Sequence, residues 1–373
     1  MTRQDRANDP GRDSGDGSGN TAAGGAGSSR GSSPGSSSGG TSGSWYSVRS
    51  TWRSPAGGRE LGLALLILAI AGVVGFHDPV FLTGVVWHDI LVRCAPAIIV
   101  SCGVMIVVVL GDIDISVGSI MALLAALLGR TLSSHELQWS VWAGVPLVLL
   151  SGAMIGCVTG MLVTLGRVPS IIASLGMMTL LRGFATLAMG GKNIDGLPEA
   201  VVHASKTGWF GIPLGPWAAL LVVLATYILL TRTALGVRIY ATGSHPESAG
   251  NAGLPVYGLR IFAFCYAGFL TAVATVVDVP RLPKIESGIG SELELFVITS
   301  VVLSGVSISG GRGRLSGVVL AVVLLTLVRP VLTFLSVGEA GEKWTKAIHG
   351  LFILLAVVSD RFSATMDRRK KSR

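Results

Sequence analysis

Charged side chains make up only 13% of the 373 residues, whereas 50% are hydrophobic. A water-soluble domain carries about 25% charged residues, so this chain has too little polar surface to coat a globule of its length. Its solvent must be lipid over most of its course. Cysteine is equally scarce. Cys94, Cys102, Cys157 and Cys265 form no C-x-x-C pair and lie in or beside apolar runs, the setting of small core residues and not of a disulfide or zinc framework. The phosphate-cradling pattern G-x-x-x-x-G-K-[S/T] is missing too. Its nearest approach, Gly190-Gly191-Lys192-Asn193, lacks the hydroxyl residue. Any ATP must therefore be handled by another chain. No catalytic residue, metal ligand or bound cofactor is expected here.

A net charge of +8 and a pI near 9.6 would suit a nucleic-acid binder, but the positions of the charges argue against that partner. Lys and Arg gather at the two ends and in short loops between apolar runs, the pattern of cytoplasmic anchoring. Residues 1–58 are expected to form a disordered, Gly/Ser-rich cytoplasmic tail, because so few apolar groups cannot offset the chain entropy of folding. Residues 59–362 form the membrane domain, and 363–373 a basic cytoplasmic tail. The first apolar run follows Arg49, Arg53 and Arg59, which marks a signal anchor with its N-terminus inside and not a cleaved leader.

Ten runs are long enough to cross a ~30 Å hydrocarbon core, some with tilt or snorkelling ends. They cover approximately 61–76, 90–110, 114–130, 141–165, 169–189, 214–231, 259–279, 293–309, 315–337 and 346–360. The third is short and follows the second directly, so the two could form a broken or re-entrant pair. With both termini inside, Arg167, Arg232, Arg238, Arg260, Arg312, Arg314 and the tail cations face the cytoplasm. Arg130, Lys192, Lys206, Arg281, Lys284, Lys343 and Lys346 face out, and with the N-terminal arginines included inside cations win by more than two to one. The expected fold is an all-α polytopic bundle. Gly152, Gly156 and Gly160 recur on one face of the fourth span and read as a packing seam.

Three features carry mechanism. Asp112 and Asp114 stand between the second and third spans, followed by Ser116, Gly118 and Ser119. They either cap the third helix or line a solute path at a polar helix break. Arg182, within the fifth span, is a candidate counter-ion for either aspartate, and Arg329, within the ninth, should face protein or water. The second feature is the polar segment 235–258 on the cytoplasmic side. A short helix is expected around Pro246 to Ala252, with Ser244 as N-cap, Glu247 in the first turn and Gly253 as terminator. Such a helix is a docking device or a solvated loop. The third is an internal echo: Gly111-Asp112-Ile113-Asp114-Ile115-Ser116 and Gly305-Val306-Ser307-Ile308-Ser309 each follow one apolar run and open another.

Several collinear stretches resemble one family. GDIDISVGSIMAL at 111–123, VPSIIASLGMMTLLRGFA at 168–185, GVRIYATGSHPESAGNAGL at 236–254 and GIGSELELFVITSVVLSGVSISGGRGRLSGVVL at 288–320 are similar to bacterial permeases of ribose, arabinose and xylose importers. The likeness runs from about residue 60 to the C-terminus. It implies the membrane subunit of an ABC importer in a bacterial cytoplasmic membrane, carrying a monosaccharide or sugar-like solute. Its implied partners are a second permease copy or paralogue, a separate ATPase, an extracytoplasmic solute-binding protein and membrane lipid. The implied ATPase-coupling residues are Arg238, Gly243, Glu247, Ala249 and Gly253. Asp112, Asp114, Ser116, Gly118, Arg182, Glu292 and Glu294 are candidate translocation-path or span-break residues. The family usually has Gly where Asp112 stands and Asn where His245 stands. The stretch from Arg281 to Glu286 looks closer to members that carry deoxyhexoses or the quorum-signal autoinducer.

Two other classes remain on residues alone. A secondary transporter would use Asp112 and Asp114 as ion-coupling carboxylates. An intramembrane aspartyl enzyme would need Asp112 to meet Asp278, and these two belong to opposite ends of their spans.

Overall fold

The computed structural model describes residues 57–336, 341, 343–355 and 358, all within one compact unit, Arg53–Arg373. Residues 1–56 and 363–373, which hold most of the N-terminal tail and all of the C-terminal tail expected from the sequence, lie outside them. Among the described residues the chain is helical, with only two isolated bridges, Ile194 to Ile285 and Trp209 to Ile212.

The helices are α1 (Gly57–His77), α2 (Gly84–Val109), α3 (Val117–Leu132), α4 (Val141–Thr164), α5 (Ser170–Met189), α6 (Glu199–Lys206), α7 (Leu214–Arg232), α8 (Ala234–Ser244), α9 (Pro246–Asn251), α10 (Val256–Asp278), α11 (Leu293–Leu303) and α12 (Leu315–Phe334). Residues 343–355 are also helical. Seven of these, α1, α2, α4, α5, α7, α10 and α12, are long and apolar enough to cross a membrane. α3 and α11 are apolar but shorter. Local sequence sets several boundaries. Pro169, Pro198, Pro213 and Pro255 stand immediately before α5, α6, α7 and α10, where a residue without an N–H leaves no helix bond unmade. Gly190, at φ 60°, ends α5 by turning left-handed while its N–H reaches back to Thr186 and Leu187.

α2 is the axis of the bundle. In its most apolar stretch 89% of residues are buried, against 22% for α1 and 28% for α5. Ile99, Val100, Cys102 and the whole run Val104–Val109 are buried on every side, as befits a helix that is apolar all round. The strongest pairing joins α4 to α10 along the seam that the glycine spacing predicts. A Cβ on Gly156 would overlap the Phe264 carbonyl, and one on Gly152 would press on Ala272 and the Gly268 carbonyl. Close backbone approach of this kind is what holds helices together in lipid.

α11 comes out much shorter than expected, and α3 starts later. α3 starts at Val117 and not at 114, because Asp114, Ile115 and Ser116 are still outside the helix. α11 stops at Leu303 and not at 309, because Gly305, Gly310 and Gly311 take left-handed backbone at φ 92°, 87° and 75°. At 1.5 Å per residue α3 spans about 24 Å and α11 about 16 Å, less than a ~30 Å core. The remaining depth is crossed by non-helical chain, which a membrane protein tolerates only where other protein or a water-filled cavity satisfies it.

Candidate functional site

The two short helices begin inside the bundle and face one another. A Cβ on Gly118, in the first turn of α3, would fall on Glu294 Oε2 and on the Gly290 carbonyl, which belong to the start of α11 and the turn before it. The carboxylates around this point are incompletely bonded. Asp114 is fully buried. Its Oδ1 accepts the Ser116 N–H at 2.9 Å and the Ser116 hydroxyl at 2.6 Å, while its Oδ2 has no hydrogen bond. Glu294 Oε2 and Ser119 Oγ are buried without a hydrogen-bond partner as well. An unpaired buried polar atom costs about 1–3 kcal/mol, so each of these atoms favours an added hydrogen-bond partner. Asp114 does not cap α3 in the ordinary sense. It holds Ser116 just ahead of the helix, and Ser116 itself makes no side-chain cap.

Arg182 is not the counter-ion that its span position raised. Its guanidinium donates to the carbonyl of Ile289 at 2.8 Å and of Ser287 at 3.4 Å. It lies in the outer half of α5, whereas both aspartates follow the inner end of α2, so it props the turn before α11. Glu292 sits in that turn at φ 68°, a left-handed conformation that costs a non-glycine residue about 1 kcal/mol or more. Its carboxylate pairs with Lys346 Nζ at 2.9 Å. Asp278 bonds Arg281 at 2.8 Å at the outer end of α10 and takes no part in the cluster. Arg329 is exposed near the outer end of α12, where a long side chain snorkels to water.

The partner of Asp112 is Arg260, in the first turn and a half of α10. Arg260 Nε lies 3.1 Å from Asp112 Oδ2, with the aspartate side chain only 7% exposed. Neither atom completes a well-directed hydrogen bond, so the contact is one of charge against charge. The Ser170 hydroxyl oxygen, at the start of α5, accepts the Ile113 N–H of the same turn at 3.2 Å. The sequence offered Arg260 only as one inside cation among several. Nothing local marks it as the mate of residue 112, which lies far away along the chain.

α8 and α9 form the polar segment. The short helix exists, but its N-cap is His245 and not Ser244, because α8 runs on through Ser244. The Ser244 hydroxyl instead bonds the Tyr240 carbonyl at 2.8 Å. Gly253, at φ 80°, follows α9 as expected. Of the five residues singled out, Arg238, Glu247 and Gly253 are exposed, whereas Gly243 and Ala249 are buried. The buried two seat the segment on its own chain. Gly243 packs so tightly that a Cβ would collide with the Val109 carbonyl, and Gly311 donates its N–H to that same carbonyl at 2.8 Å. The two halves of the internal echo therefore touch, with Gly111 set against Ser309. The Tyr240 hydroxyl donates to the Gly313 carbonyl at 2.9 Å. Burial pushes this phenol up to about 12, against the pull of Arg314.

A bundle of helices long enough to cross a membrane, with two shorter ones starting beside unpaired carboxylates and a polar segment at α8–α9, is the architecture of a permease. The chain belongs to the family described as "Branched-chain amino acid transport system / permease component", whose pattern its residues 87–357 match. It is similar to the autoinducer 2 import system permease protein LsrC of Yersinia pestis (strain Pestoides F), at 35% identity over 303 residues, 81% of this chain and 84% of that one. LsrC of Yersinia enterocolitica matches at 35% over 303 residues, 81% and 82% of the two chains. No solved structure matches. The chain is thus a permease subunit of an ATP-driven importer, multi-pass in the cytoplasmic membrane.

Proposed function

We propose that this permease imports a small, hydroxyl-rich solute of the sugar type, handed over by a separate extracytoplasmic binding protein and driven by a separate ATPase docked on α8–α9. The observation that carries the reading is the platform itself. Arg238, Glu247 and Gly253 stand exposed on a segment whose Gly243 and Ala249 are seated against the chain, and exposed Val237 and Tyr257 add apolar contact area beside them. A rigidly seated surface of mixed polarity suits a protein partner.

The solute class rests on the unpaired acceptors. Asp114 Oδ2, Glu294 Oε2 and Ser119 Oγ, with Ser116 and Gly118 between them, line the path in this reading, and a polyol supplies the hydroxyl donors they lack. Relatives named for autoinducer 2 import agree with a small oxygenated solute. Two permease subunits, as identical copies or paralogues, enclose the path. ATP and its magnesium belong to the ATPase chain.

The test is reconstitution. The permease alone in proteoliposomes takes up neither autoinducer 2 nor ribose, with or without an ion gradient. Adding the ATPase, the binding protein and ATP starts uptake. Uptake by the permease alone on a proton or sodium gradient would overturn the proposal.

A further inference from the structure

The docking platform is fastened to the α2–α3 break at both of its ends. At the leading end, Gly243 of α8 packs on the Val109 carbonyl, and Gly311 donates to the same atom at 2.8 Å. At the trailing end, Arg260 of α10 lies 3.1 Å from Asp112 Oδ2. The four residues Val109–Asp112 are thus held between the two ends of one segment, and the chain from 244 to 259 forms a loop closed on them. Two residues beyond Asp112 lies Asp114, whose unpaired Oδ2 belongs to the cluster at the start of α3. Asp112 also sits beside the Ser170–Ile113 bond that ties in α5.

We infer that the Asp112–Arg260 pair is a positioning clasp that transmits displacement of the α8–α9 platform to the helix break at Asp114. The two ends differ in kind. The Gly243 end is steric and cannot yield, since no side chain fits there. The Arg260 end is held by charge, without a directed hydrogen bond on Arg260 Nε or Asp112 Oδ2. A platform pivoting on Gly243 therefore drags Arg260, and with it the carboxylate that begins the break. The Asp112 and Arg260 side chains are only 7% and 26% exposed, so they act through the break and not by touching the ATPase. Cross-linking two elements through one buried charge pair is a way to make them move as a unit.

This inference rests on the proposed function, and its test uses the whole complex of permease, ATPase and binding protein in proteoliposomes. Uptake of autoinducer 2 and ribose and release of phosphate are measured together. Asp112→Asn keeps shape and removes the charge. It is expected to assemble with the ATPase in normal amount, to lower uptake about tenfold, and to raise the ATP hydrolysed per solute moved. Arg260→Gln behaves alike, and the double variant is no worse than either single one. Arg260→Lys, which keeps the charge, retains uptake within about threefold of wild type. Wild-type uptake and stoichiometry in Asp112→Asn would overturn the clasp while leaving the proposed function intact. So would an equal fall of assembly, hydrolysis and uptake in both Asp112→Asn and Arg260→Lys, which marks a role in folding only. A wild-type complex that moves no solute overturns the proposed function and the clasp with it.

Discussion

Glu294 Oε2 occupies the space that a side chain on Gly118 would need. The relationship binds two residues far apart in sequence and fixes how closely α3 and α11 approach. Gly118→Ala is expected to destabilise the purified permease by about 1–3 kcal/mol, the usual cost of overpacking. Because the Gly290 carbonyl also crowds that point, adding Glu294→Ala restores only part of the loss. Thermal unfolding in detergent of the single and double variants measures both steps. A Gly118→Ala protein as stable as wild type would refute the close approach.

The α4–α10 seam offers a contrast between two glycines. Gly156→Ala forces a methyl against the Phe264 carbonyl and should lower stability by about 1–3 kcal/mol. Gly176, on α5, has nothing within 4 Å of its added Cβ. There alanine removes only the helix penalty of glycine and should raise stability by up to about 1 kcal/mol. Unfolding temperatures of the isolated subunit should move in opposite directions.

Surface changes on the platform separate docking from folding. Arg238→Glu and Glu247→Arg alter exposed side chains, so stability should stay within about 0.5 kcal/mol of wild type. Co-purification with the ATPase should fall sharply in both. Deleting 243–253 is a poorer test, because it also removes Gly243 and Ala249, which seat the segment. Full ATPase recovery by the double variant would remove α8–α9 from the interface.

Tyr240 gives a pH signature. Its phenol is raised from an ordinary value of 10.0 to about 12 by burial. The unfolded chain therefore loses its proton at a lower pH than the folded one. The stability contributed by the neutral, bonded phenol is complete below pH 10, and falls as pH rises from there through the folded value of about 12. Tyr240→Phe should lose about 1 kcal/mol at neutral pH, the worth of its bond to the Gly313 carbonyl. It should also show a shallower decline between pH 10 and 12 than wild type does.

Hydrophobic runs were enough to read the membrane class and the long apolar helices, because lipid imposes length rules that act residue by residue. The Gly152, Gly156 and Gly160 spacing gave away its seam for the same reason: a helix face is a local property. What escaped was tertiary. Arg182 and Arg260 are both arginines near membrane helices, and only the packing of α10 beside α2 decides which one meets Asp112. The ends of α3 and α11 were misplaced because apolar Ile113, Ile115, Val306 and Ile308 look helical in composition, whereas Gly111 and Gly305 turn left-handed and stop the helix. Gly243 and Ala249 carried no sign that they would be buried under their own platform.

The centre of the molecule is made early. α2 is translated second among the membrane segments, yet its neighbours α7, α10, α11 and α12 all come later in the chain. The stretch of α2 beyond Arg93 is apolar nearly all round, and such a helix can wait in bare lipid at little cost, so it needs no escort while the rest is synthesised. α3 and α11 cannot wait this way, since Asp114 and Glu294 would meet hydrocarbon. The central pillar can therefore stand alone in lipid, whereas the acids ahead of α3 and at the start of α11 need protein around them.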